Sequence, residues 1–459
     1  MKVLLFNPWL PLHERTNASF GAVWPLGLLY LAAATQASGH RAVIFDAAIG
    51  GRVSWVLEDK LCIEYVVNPI DGVSLQLVGT TPDMLMGVIK RVCPKVLGIS
   101  LLLSSQHCLV VPLVKAVKKL DMDITIVLGG THATMASDML IEIEGVDYVV
   151  TGEGERAFPA LLNKLEAGEE PKGIPGVHYK GGENKPFDLI LDVDALPLPA
   201  YDLVPKYPYY HALNSAMYQI FSSRGCPNNC RFCSAPFLTR RHWRPHSIER
   251  VLGEIGLLLS RGADEIRFAD DNVAVDKNRF KAILEGVIKN REKVLLSACS
   301  MHCQTLDKEM LLMMNLAGFE RVMFAPESGN DRVIKEEIGK TFTVADAENM
   351  VRDITNAGLI PDLNILIGMP GETWAEIQDT IEFCKRMKAI SPGCGAWVSC
   401  ATPMLKTELY DEAVEKGLYA GGIPPLFSYA VATYDGIDWT KEQLEETRKM
   451  LMLGMNGHI

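Results

Sequence analysis

The segment SSRGCPNNCRFCSAP, residues 222–236, carries three of the chain's eleven cysteines close together, at Cys226, Cys230 and Cys233. Thiols at this density point to a soft metal centre, zinc or iron–sulfur. A structural zinc site needs a fourth ligand, usually from a second Cys or His pair. The nearest pair, His242 and His246, stands among Arg240, Arg241 and Arg244, a poor setting for a cation. Ferredoxin-type clusters take four cysteines at other spacings. Three thiolates on one tight loop instead leave one iron of a [4Fe–4S] cluster open to a further ligand. Gly225 and Pro227 would shape such a loop, and Phe232 would shield its last thiol from water.

The cysteine loop follows MYQIFSSRG (217–225), the first of six strand-like runs. The others are EIRFADDN (265–272), VLLSACS (294–300), RVMFAPESG (321–329), DLNILIGMPGE (362–372) and GAWVSCATP (395–403). Helical patterns separate them, which predicts a partial (β/α)6 barrel over 212–400. Chemistry then belongs at the strand carboxyl ends, where Cys226, Asp270, Asp271, Glu327, Ser328 and Gly368 fall.

Residues 1–165 also alternate short apolar runs with helical patterns, as in a doubly wound, Rossmann-like α/β domain. The strands are KVLLFNP (2–8), RAVIFDA (41–47), KVLGISLLL (95–103), DITIVLGGTHAT (123–134) and VDYVVTGEGERAF (146–158), the last two running into loops. Helices are expected over 25–40, 82–94 and 109–120. A ligand belongs at the carboxyl ends of these strands, which carry Asn7, Asp46, Ser104, Gly129, Gly130 and Gly152. No GxGxxG follows the first strand, which disfavours a dinucleotide. Residues 47–81 form an insertion with no readable pattern. Residues 166–211, rich in Pro, Gly and charge, read as a linker. Residues 401–459 read as an acidic C-terminal extension whose aromatic residues can line a substrate cavity.

The 459 residues are 48% hydrophobic and 22% charged, which leaves room for two or three domains. A net charge of −11 speaks against nucleic acid as a partner. The apolar run LGLLYLAAAT (27–36) is too short to span a bilayer, and MKVLLFNPW lacks a cleavage site. A cytoplasmic protein without a membrane span is expected, its scattered cysteines free or metal-bound rather than a disulfide framework.

The C-x3-C-x2-C loop after a strand resembles that of the radical S-adenosylmethionine (SAM) superfamily. There the open iron binds SAM, and an electron from the cluster cleaves it to a 5′-deoxyadenosyl radical. The resemblance implies that Cys226, Cys230 and Cys233 hold the cluster. FADDN (268–272) stands where the family binds the methionine amine, implying Asp270 or Asp271. APESGN (325–330) resembles the fourth-strand motif, implying that Glu327 and Ser328 contact SAM, with Arg332 after them. LIGMPGET (366–373) resembles the adenine-supporting motif, implying Gly368.

The first domain resembles that of the cobalamin-binding branch of this superfamily. NPWLPL, PLGLLYLAAATQASGH, LGISLLLSS, LGGTHATMASD and VTGEGE are similar to its successive segments, and the resemblance covers roughly residues 1–400. It implies a cobalamin site built from Asn7, Ser100, Ser104, Ser105, Gly129, Gly130, Thr131, His132, Gly152 and Glu153. The glycines would serve by letting the backbone approach a large ligand. The D-x-H-x-x-G motif is absent, since Asp46 is followed by AAIG, and the lower cobalt ligand is unassigned. The resemblance implies three cofactors: a [4Fe–4S] cluster, SAM and cobalamin. It also implies an electron donor such as flavodoxin or ferredoxin and a small-molecule or peptide substrate. The implied reaction is methylation of an unactivated carbon, with cyclisation or rearrangement as the alternative. A methylthiotransferase fits less well: Cys62, Cys93 and Cys108 are poorly placed for a second cluster, and the tail is acidic rather than basic.

Overall fold

The apolar run after Met1 becomes β1 (Lys2–Asn7), with Val3, Leu4, Leu5 and Phe6 fully buried. Continuous apolar strands of this kind belong to parallel sheets covered on both faces. The computed structural model describes residues 1–13, 24–47, 75–78, 80–204, 215–290, 294–423 and 429–457. It divides into two units, Met1–Ala216 and Met217–Ile459.

The first unit continues with β2 (Leu10–His13), β3 (Arg41–Asp46), β4 (Leu75–Val78), β5 (Val96–Ser100), β6 (Thr125–Gly129), β7 (Tyr148–Val150) and β8 (Val177–His178). Its main sheet has the order β3-β1-β5-β6-β7-β8, parallel except for β8. β2 and β4 pair separately as an antiparallel ribbon. Strand order reverses between β1 and β5, so the ligand crevice of a doubly wound sheet opens at the carboxyl ends of these two strands. Asn7 and Ser100 stand there. One face of the sheet packs Val3 and Leu5 against Leu28 and Ala32 of helix Leu26–Ala37 and against Phe158 and Leu161 of helix Gly154–Glu166.

Two stretches differ from the sequence reading. The chain after β7 is helical from Gly154 rather than a loop. Residues 166–204, read as linker, are tied into the first unit: β8 lies among them, Thr151 N donates to Gly176 O at 2.8 Å, and Ile190 N to Glu153 at 2.7 Å. Its prolines and charges suit a two-residue edge strand. The remainder of that stretch, and most of the 47–81 insertion, lie outside the described residues.

The second unit contains β9 (Met217–Ile220), β10 (Ser223–Arg224), β11 (Arg244–Pro245), β12 (Glu265–Phe268), β13 (Leu295–Ala298), β14 (Arg321–Glu327), β15 (Ile360–Ile367) and β16 (Gly395–Cys400). β12 lies between β9 and β13, and β15 between β14 and β16, all parallel. Parallel bridges Leu296–Phe319 and Met301–Phe324 join the two triplets. The result is six parallel strands in chain order, a partial barrel with no ladder between β9 and β16 among the described residues. The intervening helices start at Ser247, Asp276, Asp307, Thr343 and Thr373, each side chain accepting a hydrogen bond from the third helical amide. Phe268 packs outward on Phe280 and Phe319. Strand alternation leaves Arg267, Asn364 and Trp397 on the opposite, more exposed face.

Candidate functional site

Beyond β9 the chain passes through Ser222 and Ser223 into the cysteine loop. Ser222 donates to Asp270 through N at 2.8 Å and Oγ at 2.7 Å, and Ser223 Oγ donates to the same carboxylate. Burial pushes the Asp270 carboxyl up to about 6, against these hydrogen bonds, which pull it down. Buried Arg279 donates to Ser222 O at 2.6 Å and His246 O at 2.8 Å. Asp271 accepts from Gly225 N at 3.0 Å. Gly225 has φ +87°, and a Cβ there would lie 2.2 Å from His242 O, so only glycine fits just before the first cysteine.

The loop is then held from two other elements. Arg231 N donates to Ile338 O at 3.1 Å. The Arg231 guanidinium reaches Glu408 at 3.3 Å and Glu412 at 2.6 Å on helix Glu408–Glu415, and Asn229 reaches Glu408 at 3.0 Å. Phe232 packs against Val333, Ile338, Leu366, Met369, Ala401 and Leu409. Burial pushes all three thiols up, Cys230 to about 11 and Cys233 to about 12, and Cys226 raises both of the others. Lys340 opposes the rise at Cys226 and Cys230, while Glu327 acts only at Cys230, and less strongly than Lys340.

At the end of β14, Glu327 adopts φ +66° where the register against β15 shifts. Lys340 Nζ donates to Glu327 Oε1 at 2.8 Å and to Ala325 O at 2.7 Å, and both side chains are buried. Ser328 Oγ lies 3.1 Å from Thr380 Oγ1 and accepts from Asn330 N, organising the following turn. Arg332, expected near SAM, is held by neighbouring carboxylates with its side chain 37% exposed. It forms a bidentate pair with Glu376 at 2.6 and 2.7 Å and reaches Glu337 at 3.0 Å and Gly371 O at 2.8 Å. This pairing holds the Glu376 carboxyl down at about 2. Gly368, with φ +88°, is also a packing position: a Cβ would fall 2.4 Å from Leu444, and its carbonyl accepts from Tyr434 Oη at 2.8 Å.

In the first unit, Asn7 Nδ2 donates to Asp46 Oδ1 at 2.9 Å. Ser100 pairs in register with Gly129. Ser104 Oγ lies 2.9 Å from His132 Nδ1, whose Nε2 lies 2.9 Å from His107 Nδ1. Burial, then His107, lowers His132 to about 3. Both nitrogens of His132 are therefore occupied within the domain. Thr131 Oγ1 donates to Leu102 O at 2.6 Å, and Glu153 accepts from Ile190 N. Gly130 and Gly152 answer to the chain itself: a Cβ would lie 2.5 Å from Leu101 O in one and 2.4 Å from the Phe187 ring in the other. At Gly129 a Cβ would meet nothing closer than Val150 O at 3.6 Å.

A family model described as the radical SAM superfamily matches residues 220–384, and one for a B12 binding domain matches 17–162. An uncharacterized methyltransferase of Pyrococcus horikoshii is 31% identical, with 91% of this chain and 84% of that one covered. The cytidylyl-2-hydroxyethylphosphonate methyltransferase of Streptomyces wedmorensis is 25% identical over 91% and 82%. Among solved structures, the radical SAM methyltransferase TsrM of Kitasatospora setae, with cobalamin and a [4Fe–4S] cluster bound, superposes with a TM-score of 0.68. The identity is 17%, and 90% of this chain and 78% of that one are covered.

This chain belongs to the cobalamin-binding radical SAM family. The cofactors of that family are a [4Fe–4S] cluster, SAM and cobalamin, and the residues of this radical SAM enzyme fit them. Among the described residues no three Cys, His, Asp or Glu side chains converge on a single ion position. A cubane asks only that each thiol reach a different iron. Asn272, directly after Asp271, is buried with its Oδ1 unpartnered among the described residues, as a donor on SAM would require. At the carboxyl edge of the first unit, buried Ser105 Oγ and Thr80 Oγ1 are likewise unpartnered. No helix among the described residues is long and apolar enough to cross a membrane.

Sequence reading missed several of these residues. Thr80 sits at the end of the unreadable insertion, where it accepts from Trp9 Nε1 through its carbonyl. Gln106 Oε1 accepts from Leu102 N and Leu103 N. Asn272 lay within the quoted FADDN, where its amide side chain was the only available signal. Nothing in the IKEEIGK spacing marks Lys340 as buried.

Proposed function

We propose that this radical SAM enzyme methylates an unactivated carbon of a polar small molecule or peptide. The observation that carries this reading is the half-buried three-thiol loop, locked at Gly225 and Asp271, in a chain that also has a cobalamin-binding domain and methyltransferase relatives. When bound, the cofactors supply a 5′-deoxyadenosyl radical to remove hydrogen and a cobalt-borne methyl group to replace it. Cys226, Cys230 and Cys233 hold the cluster, leaving one iron for SAM. Asn272 Oδ1 and Asp271 accept from the methionine ammonium, while Asp270 fixes the loop that carries the thiols. Glu327 faces SAM from the end of β14. Ser100, Ser104, Ser105, Gly129 and Thr131 line the cobalamin edge near the switch point, with Asn7 beside them. The polar inner face of the barrel, with Arg267, Asn364 and Trp397, supports a substrate rich in hydrogen-bonding groups. An external donor such as a flavodoxin or ferredoxin supplies the electron.

The test is anaerobic reconstitution with iron, sulfide and cobalamin, for wild type and Cys230→Ala. Wild type is expected to take up a cluster and cobalamin, and the variant to lose the cluster only. With SAM and a reductant, wild type releases 5′-deoxyadenosine, and its product gains the mass of one methylene. A product that loses hydrogen or gains oxygen overturns methylation in favour of cyclisation. Absence of 5′-deoxyadenosine overturns the radical reading itself.

A further inference from the structure

We propose that Lys340 is a positioning residue that places a positive charge beside the cluster and clamps Glu327 in its left-handed backbone; this rests on the assignment of the cluster to Cys226, Cys230 and Cys233. The backbone leading into Lys340 lies directly against the cysteine loop. Ile338 O accepts from Arg231 N at 3.1 Å. A Cβ on Gly339 would fall 3.3 Å from Asn229 O and 3.6 Å from Arg231 Cγ, the residues on either side of Cys230. Lys340 is 6% exposed, and its ammonium lies 5.9 Å from the centroid of the Phe342 ring.

Burying an ammonium is costly unless it is paired, and here the pairing has a direction. One hydrogen bond goes to Ala325 O and the other to Glu327 Oε1, so Lys340 spans the register shift and ties down the residue with φ +66°. Reduction adds one electron to a cluster, so a nearby positive charge favours the reduced form, and most strongly in a site shielded from water.

A potentiometric electron paramagnetic resonance titration of the reconstituted enzyme, with dithionite as electron source, tests this in wild type, K340Q, K340R and E327Q. K340Q is expected to lower the ratio of reduced to oxidised cluster at a fixed potential about tenfold, which is about 59 mV for a one-electron couple. E327Q removes the opposing charge and moves the ratio the other way, while K340R stays close to wild type. Equal potentials in all four proteins, or shifts of the same sign in K340Q and E327Q, overturn the proposal, since a purely structural role gives no opposed pair. If K340Q fails to fold, a rise in E327Q with K340R unmoved supports the proposal, and no rise in E327Q overturns it. A wild type without cluster iron overturns the assignment beneath, a result visible before any potential is measured.

Discussion

Glu372 is wholly buried, with Oε2 accepting from Gly368 N at 2.6 Å and Met369 N at 3.1 Å, while Oε1 has no partner among the described residues. Burial pushes its carboxyl up to about 8 from an ordinary value of 4.5. The folded chain therefore holds this proton more tightly than the unfolded chain. The contribution to stability is complete below pH 4.5 and is lost as pH rises through 8. Glu372→Gln, which keeps the shape without the titration, is expected to flatten the decline in denaturant midpoint across that window. Parallel slopes in the two proteins would refute the assignment. Gly225→Ala tests the other sharp constraint. The left-handed backbone alone costs a non-glycine residue about 1–3 kcal/mol, and the contact with His242 O adds to it. Iron bound after reconstitution should fall steeply in this variant, with less change at Gly129→Ala, where a Cβ has room.

The elements around the cysteine loop show which parts of this site can be read from sequence. Cys226, Cys230 and Cys233 are legible because their meaning lies in spacing along eight residues of one loop. The five helices that start at Ser247, Asp276, Asp307, Thr343 and Thr373 have the same local legibility, since each start carries its own cap. The ion pairs of Arg332 have no local signature, because its partner Glu376 lies 44 residues away. The hold of Glu412 on Arg231 spans 181 residues and has no local signature at all. That link makes its own prediction. Arg231 is 27% and Glu412 15% exposed at the side chain, so solvent screens the pair, and its worth is about 0.5–1 kcal/mol. A double-mutant cycle of Arg231→Ala and Glu412→Ala should return a coupling of that size in urea unfolding. Additive effects would mean that the helix Glu408–Glu415 merely sits near the loop.

For the second unit as a whole, the question is whether the C-terminal extension belongs to the barrel or is appended to it. Its aromatic content suggests a cavity wall, and its contacts with β16 and the turn after β15 also make it a support. Asn456 bonds both Ala396 N and Ala396 O on β16, at 3.0 and 2.8 Å, and Arg448 Nε donates to Val398 O at 2.9 Å. Tyr434 and Trp439 reach the turn after β15, the latter through a 2.8 Å hydrogen bond to Glu372 O. Strands expected to carry SAM are thus supported by residues far downstream, so local damage to the extension should be felt at the cofactor end of the barrel. Trp439 is 3% exposed, and Trp439→Ala should cost about 3–5 kcal/mol through the cavity it leaves. Because that cavity adjoins Gly368 and Glu372, the variant should also bind SAM more weakly when the cluster is present, as measured by equilibrium dialysis. Trp439→Phe fills most of the space without the indole N–H, and should recover most of the stability but less of the SAM affinity. An appended module would behave otherwise: Trp439→Ala would unfold in two steps, the first leaving SAM binding intact.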